Sequence, residues 1–585
     1  MPVSRLLRTC LTVAIVMCGV AVDERIVVEQ GLTLARRMGL NGSPVAVHPT
    51  IPPRRPVVAP LLEPSKIDTF YGATTSALGR DEPLAPGGLA PATSAEPQAT
   101  RGPNESLRTA EELAPPPLIA DAEPLPPPTD EAEPLPLVDD EQSPSKGSRL
   151  VSIGRETWVL AEPRWESRKL GYLRAGATVG RDETAASNRD CRGGWYRIQP
   201  QGYVCVGARA TLDSNHPAAK LSATRPDRTG LPYLYALTRY PPPPLYARLP
   251  TAEEQEAVEG NLTGQRRQAA AIALKPDYVA PPEPVPFPDL IAHGELVPSV
   301  SGDTRGRDAL LVGHAKNHSG WAFLSTHEAN GRRFGLTTEL ALVPLDRTRI
   351  VRPSTFHGVA LSDEAGLPIA VTRARAAKSY SRDAADTLVV LAPYAFRSTV
   401  HLSGREHRAR EGLLLEARDG TWLRADQVTV IERYEELPRF AQKGAKWIDV
   451  SILRQSLVAY EGARAVYATL VSTGKDGVAD HKDSHATIQG TFLIHTKHVS
   501  VTMDSDDGQD EFDLRDVPYV QYFTEGYALH AAYWHDDFGN PRSHGCVNLA
   551  PEDAAWLFDW TTPGVPEGWH AAMSLKAGTI VHIHP

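Results

Sequence analysis

Cys546 lies in the run Ser543-His544-Gly545-Cys546-Val547-Asn548-Leu549, and His530 closes the upstream run Tyr527-Ala528-Leu529-His530. A thiol with an ordinary pKa of about 8.5 is only a few per cent ionised at neutral pH, and a neighbouring imidazole raises that fraction. His530 and His544 are both candidates for that imidazole. Gly545 lets the backbone approach a substrate carbonyl closely, and successive amides can hold an oxyanion. A cysteine, a histidine and amide donors together make an acyl-transfer site. The spacing alone also admits a buried core cysteine with satisfied histidines.

These residues resemble the L,D-transpeptidases with a YkuD-type catalytic domain. The signature of that family is a His, then after a loop Ser or Thr, His, Gly, Cys, one further residue and Asn or Arg. This chain offers His530, Ser543, His544, Gly545, Cys546 and Asn548 in that order. Thr487-Ile488-Gln489-Gly490-Thr491-Phe492 resembles the family's Thr-Pro-x-Gly-x-Phe strand, with isoleucine in place of proline. The resemblance covers about residues 445–585. It implies that Cys546 is the nucleophile, that His530 is its base, and that the Ala531 carbonyl holds the imidazole tautomer, the third-group role of a catalytic triad. It further implies that Ser543 and His544 shape the loop, that the Gly545 and Cys546 amides face the oxyanion, and that Asn548 braces the turn. Tyr527 and Trp534 join Asn548 and Ala531 as substrate-binding or loop-bracing residues. Two departures stand out: only 12 residues separate His530 from Ser543, slightly fewer than is usual, and Ala531 stands where glycine or serine is frequent.

The implied substrate is the peptidoglycan stem peptide, and the implied partner an amine acceptor: a neighbouring stem, or a lysine of an outer-membrane lipoprotein. Water as acceptor would make the protein an L,D-carboxypeptidase that trims stems. No cofactor or metal is implied. An inert cell-wall binding or scaffold protein is the competing class. A papain-like order, with the nucleophile first, would need His570 as base.

Around the site the pattern is β. Trp447-Ile448-Asp449-Val450 and Gln455–Tyr460 read as paired strands, and Val466–Gly474 continues the sheet. Pro551 fits a first helical turn, with Ala554, Leu557 and Phe558 on one face. With the family resemblance, the expected fold class is mainly β and multidomain: a C-terminal L,D-transpeptidase-type β-sandwich with a short helix, preceded by SH3-like small β-barrel modules and a disordered Pro-rich N-terminal tether.

Upstream, residues 148–212 show short alternating runs with glycine turns, among them Leu170–Val179, Gly194–Ile198 and Gly202–Val204. They suggest a small barrel whose spacing resembles bacterial SH3-like domains. Residues 213–290 read as an extended Pro-rich connector with one helix after the capping-box pattern at Thr251. Its aromatic runs, 232–235 and 245–248, would pin the connector to a neighbour. Residues 291–440 form a middle β domain in which Gly420–Arg424 and Val428–Ile431 weakly echo the first barrel, a candidate second SH3-like module. Residues 441–585 are the catalytic domain.

The chain has 585 residues, 61 Lys+Arg, 71 Asp+Glu, 51 Pro and 5 Cys. A formal charge of −10 without a basic run argues against nucleic-acid binding. Twenty of the prolines fall within 51–147, and residues 104–147 carry 11 acidic against 2 basic side chains, so 23–147 reads as a disordered tether. Arg5 and Arg8 before an apolar run to about Val22 read as a signal peptide or N-terminal anchor over 1–22, with Cys18 open to lipidation. Export to the periplasm or cell envelope follows. Cys191 and Cys205 bracket a hairpin and suit a disulfide in an oxidising compartment, or stay reduced in a core. The acidic run 504–511 lacks calcium-loop order. His481, His485, His495 and His498 lack ligand spacing.

Overall fold

The computed structural model describes residues 147–585 apart from 225, 302–308, 384–386, 411, 435, 442–443, 483, 506–511, 525 and 575. The expected leader, the tether up to residue 146 and most of the acidic run 504–511 therefore lie outside the described residues. The described chain is mainly β.

In the last quarter two sheets face each other. One runs, in spatial order, Val359–Ala360, Arg464–Leu470, Ser456–Glu461, Lys446–Ser451, Ile580–His584 and Gly490–Leu493. The other includes Thr496–Ser505, Phe512–Thr524, Tyr527–Ala531 and Val547–Leu549. Period-two alternation sends Ile448, Val450 and Leu457 from the first sheet against Val499, Leu529 and Val547 of the second. Ala554, Leu557 and Phe558 of the helix Pro551–Trp560 complete this core. Buried Lys497 donates to the carbonyls of Phe558 and Thr561, satisfying groups that the helix end leaves without an internal partner. Asp553 in the first helical turn is fully buried and accepts from the Gly358 amide, the Tyr467 hydroxyl and Thr469. Burial pushes its carboxyl up to about 6 despite those donors.

The first module, 148–212, packs Leu150, Val159, Leu173 and Val204 inside short strands. Its strand Lys169–Leu173 pairs antiparallel with Ala571–Met573, so it extends the second sheet of the C-terminal sandwich. The approach is close: a Cβ on Gly171 would stand 2.0 Å from the Ala571 carbonyl oxygen. Cys191 and Cys205 form a disulfide with Cα atoms 5.9 Å apart. Cys191 sits in the turn before the strand Trp195–Arg197, and Trp195 is the residue opposite Cys205 in the hairpin.

The segment 213–290 holds more structure than the expected connector: strands Leu234–Thr238 and Pro244–Tyr246, and helices Pro217–Leu221, Ala252–Glu259, Leu262–Ala273 and Asp289–Ala292. The capping box at Thr251 and Glu254 is present. Leu262–Ala273 buries only Leu262 and so leaves no apolar stripe in the sequence. Polar contacts hold it instead, with Arg347 donating to Gln265 at 2.6 Å beside the buried Arg332–Glu259 pair. Tyr235 and Tyr246 are buried, as pinning residues must be.

The span 291–440 divides between two sheets. In the first part the strand Leu234–Thr238 pairs with both Ser319–Ala329 and Thr348–Ile350. Between those two come Arg332–Thr337, Leu342–Pro344 and a 3-10 turn at Leu345–Arg347. In the second part Ile369–Thr372 pairs with both Thr399–Ala409 and Val428–Ile431, with Gly412–Ala417, Trp422–Arg424 and a 3-10 turn at Ala425–Gln427 between. The order, the pairing and the 3-10 turn are the same. Two copies of one small β unit stand in series where the sequence suggests one. The registers equate Leu237 with Val371 and Gly320 with Thr399, so His318 and Arg397 occupy the same place. Both have left-handed backbone, φ +58°.

The first copy is welded to the second sheet of the sandwich through Asp516. Asp516, fully buried, accepts from Arg174, Thr338 and Ser500, and its carbonyl accepts from the Tyr235 hydroxyl at 2.6 Å. Burial alone would raise the Asp516 carboxyl, but the Arg174 and Arg155 charges outweigh it and hold it well below the usual carboxylate range.

Candidate active site

His530 lies on the strand Tyr527–Ala531, which pairs parallel with Val547–Leu549 in the register Leu529 to Val547, His530 to Asn548 and Ala531 to Leu549. Leu529, Ala531, Val547 and Leu549 point into the sandwich core. Alternation therefore turns Ala528, His530, Cys546 and Asn548 to the other face, where Ala528 and Cys546 share a small cluster with Val517, Val520 and Trp534. Cys546, just ahead of its strand, is one diagonal step from His530 in this register, a step of roughly 8 Å between Cα atoms in a regular sheet.

The His530 ring is buried and its Nδ1 stands 3.1 Å from the Ala531 carbonyl. A carbonyl can only accept, so Nδ1 carries the proton and Nε2 keeps its lone pair. Burial lowers this imidazole to about 4. Cys546 is half-buried, with Sγ 3.8 Å from the Gly526 carbonyl, and desolvation pushes its thiol up to about 11. At neutral pH the pair rests as thiol and neutral imidazole.

The cysteine loop is shaped by its own side chains. Ser543 Oγ accepts from the Gly545 amide at 3.0 Å and donates to the Cys546 carbonyl. The Gly545 amide, expected to face an oxyanion, is thus committed within the turn, because Ser543 needs it to close. Gly545 has φ +127°, and a Cβ there would meet the Tyr527 ring at 2.7 Å, so only glycine fits. His544 is exposed on the outer side, its ring 4.8 Å from His485 and 5.5 Å from Phe512. Trp534 lies beside His530, ring centres 5.7 Å apart. His570 is buried elsewhere, its Nε2 2.9 Å from the Ser500 carbonyl. Among the described residues no group of three or more His, Cys, Asp or Glu is arranged to hold a metal ion.

Residues 445–583 match the family described as YkuD, L,D-transpeptidase catalytic domain. They form an L,D-transpeptidase catalytic domain. A Bacillus subtilis (strain 168) protein, YciB, named provisionally as an L,D-transpeptidase, is 27% identical over 150 residues, 21% of this chain and 64% of that protein. L,D-transpeptidase 1 of Mycobacterium tuberculosis (strain ATCC 25618 / H37Rv) is 35% identical over 94 residues, 14% of this chain and 37% of its own. An L,D-transpeptidase structure from Xylanimonas cellulosilytica DSM 15894 aligns with 26% of this chain and 65% of its own at 25% identity, TM-score 0.19. The chain spans less than two thirds of the length of each of these relatives.

Within the transpeptidase domain, several supports had no sequence signal. The cysteine loop is stitched to 473–475: the Ser543 amide donates to the Thr473 carbonyl at 3.0 Å, and the Lys475 amide to the Ser543 carbonyl at 2.9 Å. Gln455 and Thr487 hold that segment, accepting from the Thr473 and Gly474 amides. Asn548 exchanges backbone bonds with Ser472. The Asp537 amide donates to His535 Nδ1, so Nε2 carries the ring proton and donates toward the Asn548 carboxamide 3.1 Å away. The group facing it must be the oxygen, an orientation that also gives the otherwise partnerless Oδ1 a donor. His535, in the loop between His530 and Ser543, belongs to no motif, yet it braces the turn through Asn548.

Proposed function

We propose that the protein is an exported peptidoglycan L,D-transpeptidase that works through a thioester on Cys546. The observation that carries this reading is the sharing of one strand face by Cys546 and His530, with the His530 tautomer set by the Ala531 carbonyl. Because both groups rest neutral, the thiol proton moves to His530 Nε2 as Sγ attacks the carbonyl of the third stem residue. The Cys546 amide faces the oxyanion. Collapse breaks the bond to the terminal D-Ala, whose amine leaves with the proton from His530. An incoming amine then loses a proton to His530, attacks the thioester and forms a new amide, and the thiolate takes the proton back. That amine belongs to a neighbouring stem or to a lipoprotein lysine; water in its place trims the stem.

The test is mass spectrometry of the full-length protein incubated with tetrapeptide-bearing wall fragments. Cross-linked dimers are expected, and Cys546→Ala should yield none. Tripeptide without dimers would assign trimming. No product and no carbapenem adduct on Cys546 would leave the inert wall-binding class in its place.

A further inference from the structure

The loop between base and nucleophile is gripped from outside the catalytic domain. Arg397, in the second repeated unit, donates through Nη1 to Asp536 Oδ1 and through Nη2 to the Asp536 carbonyl at 2.8 Å. Its guanidinium lies between Phe356, Phe396 and Phe538, with centres 4.8–5.9 Å away, and its side chain is 9% exposed. Ser354 donates to the same Asp536 oxygen at 2.7 Å, and Arg373 donates to Asn540 Oδ1 at 2.8 Å. These three grips hold the segment from which His535 reaches Asn548 and the Asp537 carbonyl accepts from Ser472. All three gripping residues precede residue 445, where the family match begins.

The left-handed backbone at Arg397 is not itself a functional signal, because His318 shares it at the equivalent place. What differs is the side chain. His318 is exposed, whereas Arg397 is a fork inserted between aromatic rings and aimed at one carboxylate and one carbonyl. A surface ion pair contributes little, but a bidentate, ring-packed arginine fixes geometry.

We propose that Arg397, with Asp536 as its partner, is a positioning residue for Cys546: the second repeated unit sets the 535–540 loop, and through His535 and Asn548 the attitude of the nucleophile turn. The inference rests on the transpeptidase reading above for its acylation readout, but not for its thiol readout. A misplacement of about 1 Å from a change outside the reacting groups can slow a reaction by an order of magnitude or more.

The experiment compares full-length wild type with Arg397→Gln, Arg397→Lys, Asp536→Asn and the Gln/Asn double variant. Three quantities are read: the rate of Cys546 acylation by a carbapenem, the pH profile of Cys546 alkylation by iodoacetamide, and the thermal midpoint. Each of Arg397→Gln and Asp536→Asn should acylate about tenfold more slowly, and the double variant no more slowly than either, because the two act as one unit. Lysine should not restore the rate, since it supplies one point charge in place of a fork. The alkylation profile should shift in the same variants while the thermal midpoint stays near wild type. Wild-type rates in both single variants, or losses that add in the double variant and follow the thermal midpoint, would overturn the proposal. If wild type takes no carbapenem, the transpeptidase reading fails and alkylation decides: a shifted profile supports the grip, and an unchanged one overturns it.

Discussion

The two repeated units share a topology and are put to opposite uses. The first turns Tyr235 and Thr338 onto buried Asp516, which also takes Ser500 and the Arg174 charge. The second turns Arg373 and Arg397 onto the half-exposed loop that precedes the Cys546 turn. The foundation is buried, charged and closed. The grip is at the rim, where Asp536 is 59% exposed. One fold can serve both roles because its strands set the positions while single side chains at turn sites choose the contact.

The comparison can be broken in several places. The largest effect is expected at the gripped side's target: His530→Ala should slow acylation about 10²–10⁴-fold, with the thermal midpoint little changed, by the loss of the base. A midpoint that falls with the rate would make His530 structural. In the foundation, Arg174→Met leaves the Asp516 carboxylate buried without its charge partner and should cost about 3–5 kcal/mol in denaturant unfolding. Acylation per folded molecule should survive. If it fell while the fold held, foundation and site would not be separable.

Acidity should strike next. Burial keeps His498 near 3 and His530 and His535 near 4, and holds His570 well below its ordinary value. The unfolded chain therefore binds protons first as the pH falls below about 6.5, and stability drops between pH 7 and 5 by up to about 2 kcal/mol for each such imidazole. Asp553 runs the other way: its folded value, raised to about 6, returns some stability as the pH falls through 6. Four imidazoles against that carboxyl and His584, which its hydrogen bond to Asp449 raises, predict a net loss, read as a lower thermal midpoint at pH 5 than at pH 7. An unchanged midpoint would mean that these histidines are not buried neutral. The smallest effect sharpens the comparison most. His318→Ala, at the place equivalent to Arg397, should leave acylation unchanged and stability within about 0.5 kcal/mol. A slowed rate there would mean that the position, not the arginine fork, matters.

The chemistry was legible locally. Cys546, His530, Ser543, Gly545 and Asn548 are close enough in sequence, and typed narrowly enough, for their runs to resemble the family whose model matches residues 445–583. Once the register Leu529 to Val547 was in place, alternation decided which side chains share a face, because strand period is a local property. The roles inside the turn were less legible. That Ser543 takes the Gly545 amide depends on backbone angles that residue types do not declare.

The long-range arrangement belongs to the tertiary structure. The polar helix Leu262–Ala273 has no apolar stripe, so only Arg347 and Gln265 coming together could reveal why it holds. The repeat of 234–350 in 369–431 is carried by register and turn position with little shared sequence. The pairing of Gly171 with Ala572, the meeting of Arg174 with Asp516 and the grip of Arg397 on Asp536 join residues more than 100 positions apart. Residue types and their local periods determine strands, turns and the order of the His530 and Cys546 runs. Which charged side chain becomes a foundation and which a grip is decided by burial and partner, and those exist only once the sheets have met.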